Sequence, residues 1–355
     1  RAVARRIVRE CAGVSAGEDV YIEGRLDSAV YLELLAFECE LVGGRPIVVM
    51  QSDEHILRRL TELPEEQLAT KAQPWIDATK AADVVFSVHM EDGDPALFSA
   101  VPAAKLGAMR RGRKLLADHI YDGSRRWIGT DFPSPAQARA YGVPWEAFAE
   151  TFWRALDVDY RLLQERAGRV CAVLEKAQTV RVRSPKGTDL TMRIAGRPVD
   201  QDVGVVSAAT PLSNLPAGEV CLAPLEDGAD GRVVFDLAFW DGRRIEDLEV
   251  EFERGRCRAR GAAQGLEIFT GTLASASGAA DVIAELGIGL NPEVTEATGF
   301  MLTDEKILGT VHIAVGENRI LGGVNESSLH WDLLVMQASL EADGVPILQD
   351  GRLVV

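Results

Sequence analysis

The sequence predicts an α/β N-terminal domain with a mainly parallel sheet, residues 1–177, followed by a β-rich α+β domain, residues 178–355. Three observations carry this. Short apolar runs alternate with helical spacing through the first third of the chain. The pattern then changes near residue 178 to strict alternation with turn residues. Chemistry-bearing residues gather in the second half.

In order, residues 2–12 place apolar groups at helical spacing, and the Ser15–Asp19 stretch breaks into a strand at Val20-Tyr21-Ile22. A helix is expected from Asp27, whose side chain is placed to cap it, with Gly43-Gly44 ending it. Pro46 to Met50 and Asp83 to Val88 read as further buried strands, with helices opening at Pro64-Glu65-Glu66 and spanning Val101 to Arg113. Trp127 to Gly142 reads as a proline-punctuated connector, and one long helix is expected from about Pro144 to Glu175. Val180 to Arg183, a turn at Ser184–Gly187 and Leu190 to Ile194 form a hairpin signal. Beyond it, Val233 to Leu237 reads as a strand and the stretch around Ala279 to Glu285 as a bridging helix.

Composition removes several classes of function. With 38 basic against 54 acidic residues the formal charge is -16 and the pI near 4.9, which opposes attraction to nucleic-acid phosphate or anionic membrane. Five scattered cysteines without a CxxC pair argue against a disulfide framework or zinc ribbon and for a reducing compartment. No apolar run reaches membrane-spanning length, and no apolar signal core follows RAVARRIVRE, so a cytoplasmic location is expected. The first strand is followed by Glu23-Gly24-Arg25-Leu26-Asp27, not GxGxxG, and no GxxxxGK[ST] loop occurs. The N-terminal domain is accordingly read as structural and dimerising.

The densest stretch runs from Asp304 to Asp332 and contains His312 and His330 in two β-like segments. If the second is a strand, alternation puts His330 and Asp332 on one face, about 6.6 Å apart along the backbone. Upstream, Glu219 ends a Pro/Gly turn, and Glu285 abuts the glycine-rich Gly287-Ile288-Gly289, where backbone can pass close to a site.

Four motifs in order, NLPAGEV, ELGIGLNP, DEKILGTVHIAVGEN and SSLHWD, together with the tail DGVPILQDGRLV, resemble the thermophilic-type metallo-aminopeptidase family that includes aminopeptidases T and S. The resemblance covers the C-terminal domain well and the N-terminal domain loosely. It implies a hydrolase releasing N-terminal residues from small peptides, two divalent ions, and a homodimer or higher homo-oligomer. Matched residue by residue, it implies Glu219, Glu285, His312, His330 and Asp332 as metal ligands, with Glu285 bridging. Three carboxylates and two neutral imidazoles oppose the charge of two divalent ions, and a bridging hydroxide closes the balance. Mixed His/carboxylate ligation suits Zn, Co or Mn.

Glu317 and Glu305 are the candidate general bases, and Lys306 a candidate oxyanion partner. The chain departs from the longer aminopeptidases at Arg319, where they have tyrosine; its planar fork suits a substrate carboxylate or phosphate. The motif order is also similar to that of ring-processing enzymes, the iron-dependent 2,5-dihydroxypyridine dioxygenases and a nitroanthranilate aminohydrolase. That similarity implies a same-fold enzyme of a small aromatic or amide metabolite as the alternative, although the dioxygenases have histidine where this chain has Glu285. A third reading is a non-enzymatic binding protein with a structural polar cluster. His55, His89 and His119 are read as non-ligands.

Overall fold

The computed structural model describes residues 1–88, 95–98, 100–240 and 243–355. Its packing separates two compact units, residues 1–140 with 204–215, and residues 141–203 with 216–355. Residue 178, where the sequence pattern changes, is not a border of these packing units: the helices Trp145–Leu156 and Tyr160–Leu174 pack with the second unit, and strand Leu212–Leu215 with the first.

The first unit is built on a parallel sheet of β1 (Asp19–Arg25), β2 (Arg45–Gln51), β3 (Val84–Val88), β4 (Arg126–Thr130) and β5 (Leu212–Leu215), ordered β2-β1-β3-β4-β5. The apolar run of β3 is buried at all five positions, as a central parallel strand covered on both faces requires. Helix Ala29–Leu41 follows β1 and ends where Gly43 takes a φ of +86°. The N-cap position expected for Asp27 falls to its neighbour Ser28. Asp27 lies in a 3₁₀ turn, Leu26–Ser28, and Ser28 takes the N-cap position while its hydroxyl donates to the Arg25 carbonyl at 2.8 Å. The expected connector at 127–142 holds a strand, β4, paired with β3, and a helix, Pro135–Tyr141. The prolines of that stretch delimit these elements instead of excluding them.

The second unit carries a curled, mostly antiparallel sheet of thirteen strands among the described residues. The long helix expected from Pro144 is two helices, because Asp159 accepts from the N–H groups of Arg161 and Leu162 and starts a new one. The hairpin at 179–193 pairs Val182 with Leu190 across its turn. The centre of the sheet consists of β6 (Glu219–Leu222), β7 (Ile283–Gly289), β8 (Val311–Gly316) and β9 (His330–Val335), in the spatial order β9-β8-β7-β6, with Asp200–Asp202 alongside β6. The helix expected at 279–285 is therefore corrected: Glu285 lies on β7, buried along its whole length, and the helix of this region is Leu266–Ser275. A continuous apolar run gives no periodicity to tell a buried strand from a helix.

Candidate metal centre

Strand register assembles the site. Opposed residues of antiparallel strands share a face, and the pairs here are Gly289 with Glu219, Gly287 with His312, Glu285 with Ala314, Ala314 with Asp332, and Gly316 with His330. One face of four neighbouring strands thus carries Glu219, Glu285, His312, His330 and Asp332, interleaved with Gly287, Gly289, Ala314 and Gly316. The small residues leave the room that the functional side chains occupy. At Gly287 this is strict, for a Cβ there would stand 1.9 Å from His312 Nε2 and 2.0 Å from its Cε1.

The donors face one another at short range. His312 Nε2 lies 3.4 Å from Glu219 Oε2 and 3.4 Å from Glu285 Oε1, while His330 Nε2 lies 3.0 Å from Glu285 Oε2 and 3.5 Å from Asp332 Oδ2. The ligand atoms fall into two groups, Glu219 with Glu305 and His312, and Glu285 with His330 and Asp332, the atoms of each within 4.8 Å of one another. Glu285 faces both imidazoles, one oxygen to each. His312 is buried and His330 sits at the open rim, its side chain 32% exposed. The His330 ring is oriented by Nδ1 donating to the Glu317 carbonyl at 2.7 Å, which leaves Nε2 unprotonated when neutral and turned to the site.

Around these donors the chain is pinned. Asp304 accepts from the Thr298 N–H and hydroxyl and from the Gly299 N–H, at 2.8, 3.0 and 2.6 Å. Asn291, fully buried, donates through Nδ2 to the carbonyls of Ala155 and Ala217. Glu305 and Lys306 follow directly from the Asp304 clamp. Lys306 is completely buried and donates to Glu219 Oε1 at 2.6 Å, with Glu305 Oε1 at 2.8 Å and Asp202 Oδ2 at 3.4 Å. Asp202 gave no signal in the sequence; it arrives by pairing opposite Glu219.

The electrostatics fit a divalent cation. Glu219, Glu305 and Asp202 crowd one buried lysine, Lys306, while Glu285 and Asp332 face the two imidazoles. Burial raises the Glu219 and Glu305 carboxyls, with further upward push from neighbouring carboxylates against the field of Lys306. Burial works against charge on His312 and His330 also, yet the carboxylates overcome it and hold both imidazoles well above their ordinary range. Glu219 Oε2, His312 Nδ1 and Asp332 Oδ1 are buried without a hydrogen-bond partner. Orphaned donors and acceptors of this kind, in a nest of excess negative charge and mixed imidazole and carboxylate chemistry, match a site for divalent ions.

A family model described as thermophilic metalloprotease (M29) matches residues 1–354. The chain belongs to this metalloprotease family. It is therefore a metal-dependent enzyme that hydrolyses peptides, and the reading as a non-enzymatic binding protein is set aside. Among curated proteins, aminopeptidase AmpS of Bacillus subtilis is 20% identical over 391 residues, spanning 96% of this chain and 94% of that protein. Among solved structures, wild-type AmpT from Thermus thermophilus matches with a TM-score of 0.79 at 24% identity, covering 100% of this chain and 98% of that one. The 2,5-dihydroxypyridine dioxygenase from Pseudomonas putida KT2440 matches with a TM-score of 0.67 at 15% identity, over 100% and 96% of the two chains. Both structures share the fold.

The remaining sequence candidates divide. Glu305 is brought to the donor groups. Glu317 and Arg319 are not: they bind each other, Arg319 Nε and Nη2 reaching the two Glu317 oxygens at 2.7 and 3.1 Å, with Glu326 3.5 Å from Arg319 Nη1. The Arg319 guanidinium holds the Glu317 carboxyl below its ordinary value, opposite to the direction a base at neutral pH needs. His55 lies on helix Asp53–Glu62 and His119 on helix Ala103–Ile120, and neither joins a donor group. His89 lies outside the described residues. No helix among them is long and apolar enough to cross a membrane.

Proposed function

We propose that the protein is a dinuclear aminopeptidase whose catalytic domain, residues 178–355, binds two divalent ions, Zn, Co or Mn, through Glu219, Glu285, His312, His330 and Asp332. The observation that carries this reading is the position of Glu285, with one oxygen toward His312 and the other toward His330, so that a single carboxylate joins both donor groups. Divalent ions held there would supply a hydroxide nucleophile at neutral pH and polarise the scissile carbonyl.

The chain's own residues do the rest. Glu305, its carboxyl raised by burial, accepts the proton of the attacking water and returns it to the leaving amine. Lys306 keeps Glu219 and Glu305 oriented through its bonds to both. The excess of carboxylate suits the α-ammonium of a peptide's first residue, and the name of the Bacillus subtilis relative supports exopeptidase action. Arg319 is spent on Glu317 and Glu326 and does not replace the tyrosine of the longer enzymes. A cytoplasmic homo-oligomer acting on small peptides, with neither nucleic acid nor membrane as partner, completes the proposal.

The test is a substrate panel on the metal-loaded protein. Aminoacyl anilides are expected to turn over, their N-acetylated forms to be inert, and chelation to abolish activity. Turnover of aromatic acids with no action on anilides would overturn the reading in favour of a metabolite enzyme.

A further inference from the structure

The first unit contains a cavity of about 150 Å³ at the carboxyl ends of β1, β2 and β3. Its position follows from topology. The chain runs from β1 outward to β2 on one side, then returns to place β3 on the other side of β1. The crevice between β1 and β3 is thus the point where strand order reverses, and in open parallel sheets ligands bind there, outside the carboxyl ends of the strands. Both flanks line the cavity, Glu23, Gly24 and Arg25 from β1 and Ser87 and Val88 from β3.

In a chain of formal charge -16, the described residues that line this cavity include four cations, Arg25, Arg59, Lys71 and Arg113, and one carboxylate, Glu23. Arg25 is paired with Asp53, and Glu23 accepts from the hydroxyls of Tyr21 and Ser87 at 3.2 and 3.1 Å. Among the described residues, neither Arg59 nor Lys71 has a carboxylate within ion-pair distance. Lys71 lies over the Trp75 ring, 4.3 Å from its centroid. Burial, with the fields of Arg59 and Arg113, draws its ammonium down to about 8 against the pull of Glu23. Trp75, Leu116 and Ile120 give the cavity an apolar wall.

We propose that this cavity binds a small organic anion, a phosphate or carboxylate carried on an apolar or aromatic body, with Lys71 and Arg59 meeting the charge and Trp75 the body. Cationic side chains, and not the backbone amides of a glycine loop, recognise the anion, since β1 runs into Gly24-Arg25-Leu26-Asp27 without such a loop. The cavity shares no lining residue with the metal centre, and the binding test does not depend on the peptidase reading.

The experiment is calorimetric titration of the metal-loaded full chain with phenyl phosphate, benzoate, inorganic phosphate and uncharged benzyl alcohol. Phenyl phosphate or benzoate is expected to bind saturably, whichever is tighter naming the anion, and benzyl alcohol not to bind. Lys71→Gln and Arg59→Gln are each expected to weaken binding by about tenfold or more and to leave ligand-free peptide turnover unchanged. Lys114→Gln, an exposed cation paired with Asp118 outside the cavity, is expected to bind like the parent. A bromine anomalous peak from 4-bromobenzoate inside the cavity is the variant-independent readout. Absence of saturable anion binding, equal affinity in the Lys71 and Arg59 variants, or bromine only elsewhere would each overturn the proposal.

Discussion

Gly287→Ala tests the architecture of the metal centre through a single methyl group. The added Cβ would stand 1.9, 2.0 and 2.7 Å from Nε2, Cε1 and Cδ2 of His312. Van der Waals separation then requires the ring to retreat by roughly 1.5 Å or more. The retreat cannot be shared by the backbone, because β8 is paired on both sides, Gly287 to His312 and His312 to Leu334. The imidazole therefore leaves the position from which Nε2 faces Glu219 and Glu285. Displacements near 1 Å at a reacting centre cost about 100-fold in rate, and a disturbed ligand shell about 10- to 100-fold in metal affinity. Overpacking adds a stability loss of about 1–3 kcal/mol. The assay pairs metal analysis after titration with anilide turnover, and Gly271→Ala is the control. Gly271 lies in helix Leu266–Ser275 with nothing within 4 Å of an added Cβ, so alanine there is expected to be neutral or to stabilise by up to about 1 kcal/mol. Full metal content and parental turnover in Gly287→Ala would refute the placement of His312 in the site.

Other expectations follow from the same geometry. Glu305→Gln should keep the metals and lower kcat by about 100-fold or more with little change in KM, measured by steady-state kinetics beside metal content; loss of metal instead would make Glu305 a ligand. Lys306→Met leaves buried Glu219 and Glu305 without their cation and is expected to destabilise the protein by about 3 kcal/mol in denaturant titration, with addition of metal recovering part of the loss. Arg319→Ala should change kcat/KM by less than about threefold, since the guanidinium lies on the surface against Glu317; a larger fall would return Arg319 to the site. Burial raises the Glu18 carboxyl, but its bonds from Arg126 and the Ser15 N–H outweigh that and hold it below 4.5. Its contribution is therefore full above about pH 4.5 and lost as pH falls through the lower folded value, so Glu18→Gln should shallow the acid limb of the stability curve by up to about 1 kcal/mol.

How much of this was legible in the sequence depends on the range of the signal. Period-two alternation placed His330 and Asp332 on one face, and the two side chains do meet, because a strand's own pleat decides that relation. The motif around Glu285 marked a residue that lies between the two imidazoles, but on the wrong element. Ile283 to Gly289 is apolar at nearly every position, and only pairing with β6 and β8 on either side makes it a strand. Strand β4 was hidden likewise, its five residues lying beside a proline-rich stretch and acquiring their role from β3. Asp202 left no local trace at all, for its place comes from lying opposite Glu219, seventeen positions along the chain. Glu317 and Arg319 looked functional by proximity to His312 in sequence, but two residues of opposite charge two positions apart satisfied each other on the surface.

The central claim is that Glu285 joins two metal positions, one beside His312 and one beside His330. An anomalous difference map from crystals grown with zinc tests it most directly. Two peaks flanking the Glu285 carboxylate, about 3.5–4 Å apart, are expected, with loss of the peak next to residue 330 in His330→Ala. No peak at Glu285, or a metal bound only at residues outside Glu219, Glu285, His312, His330 and Asp332, would contradict it.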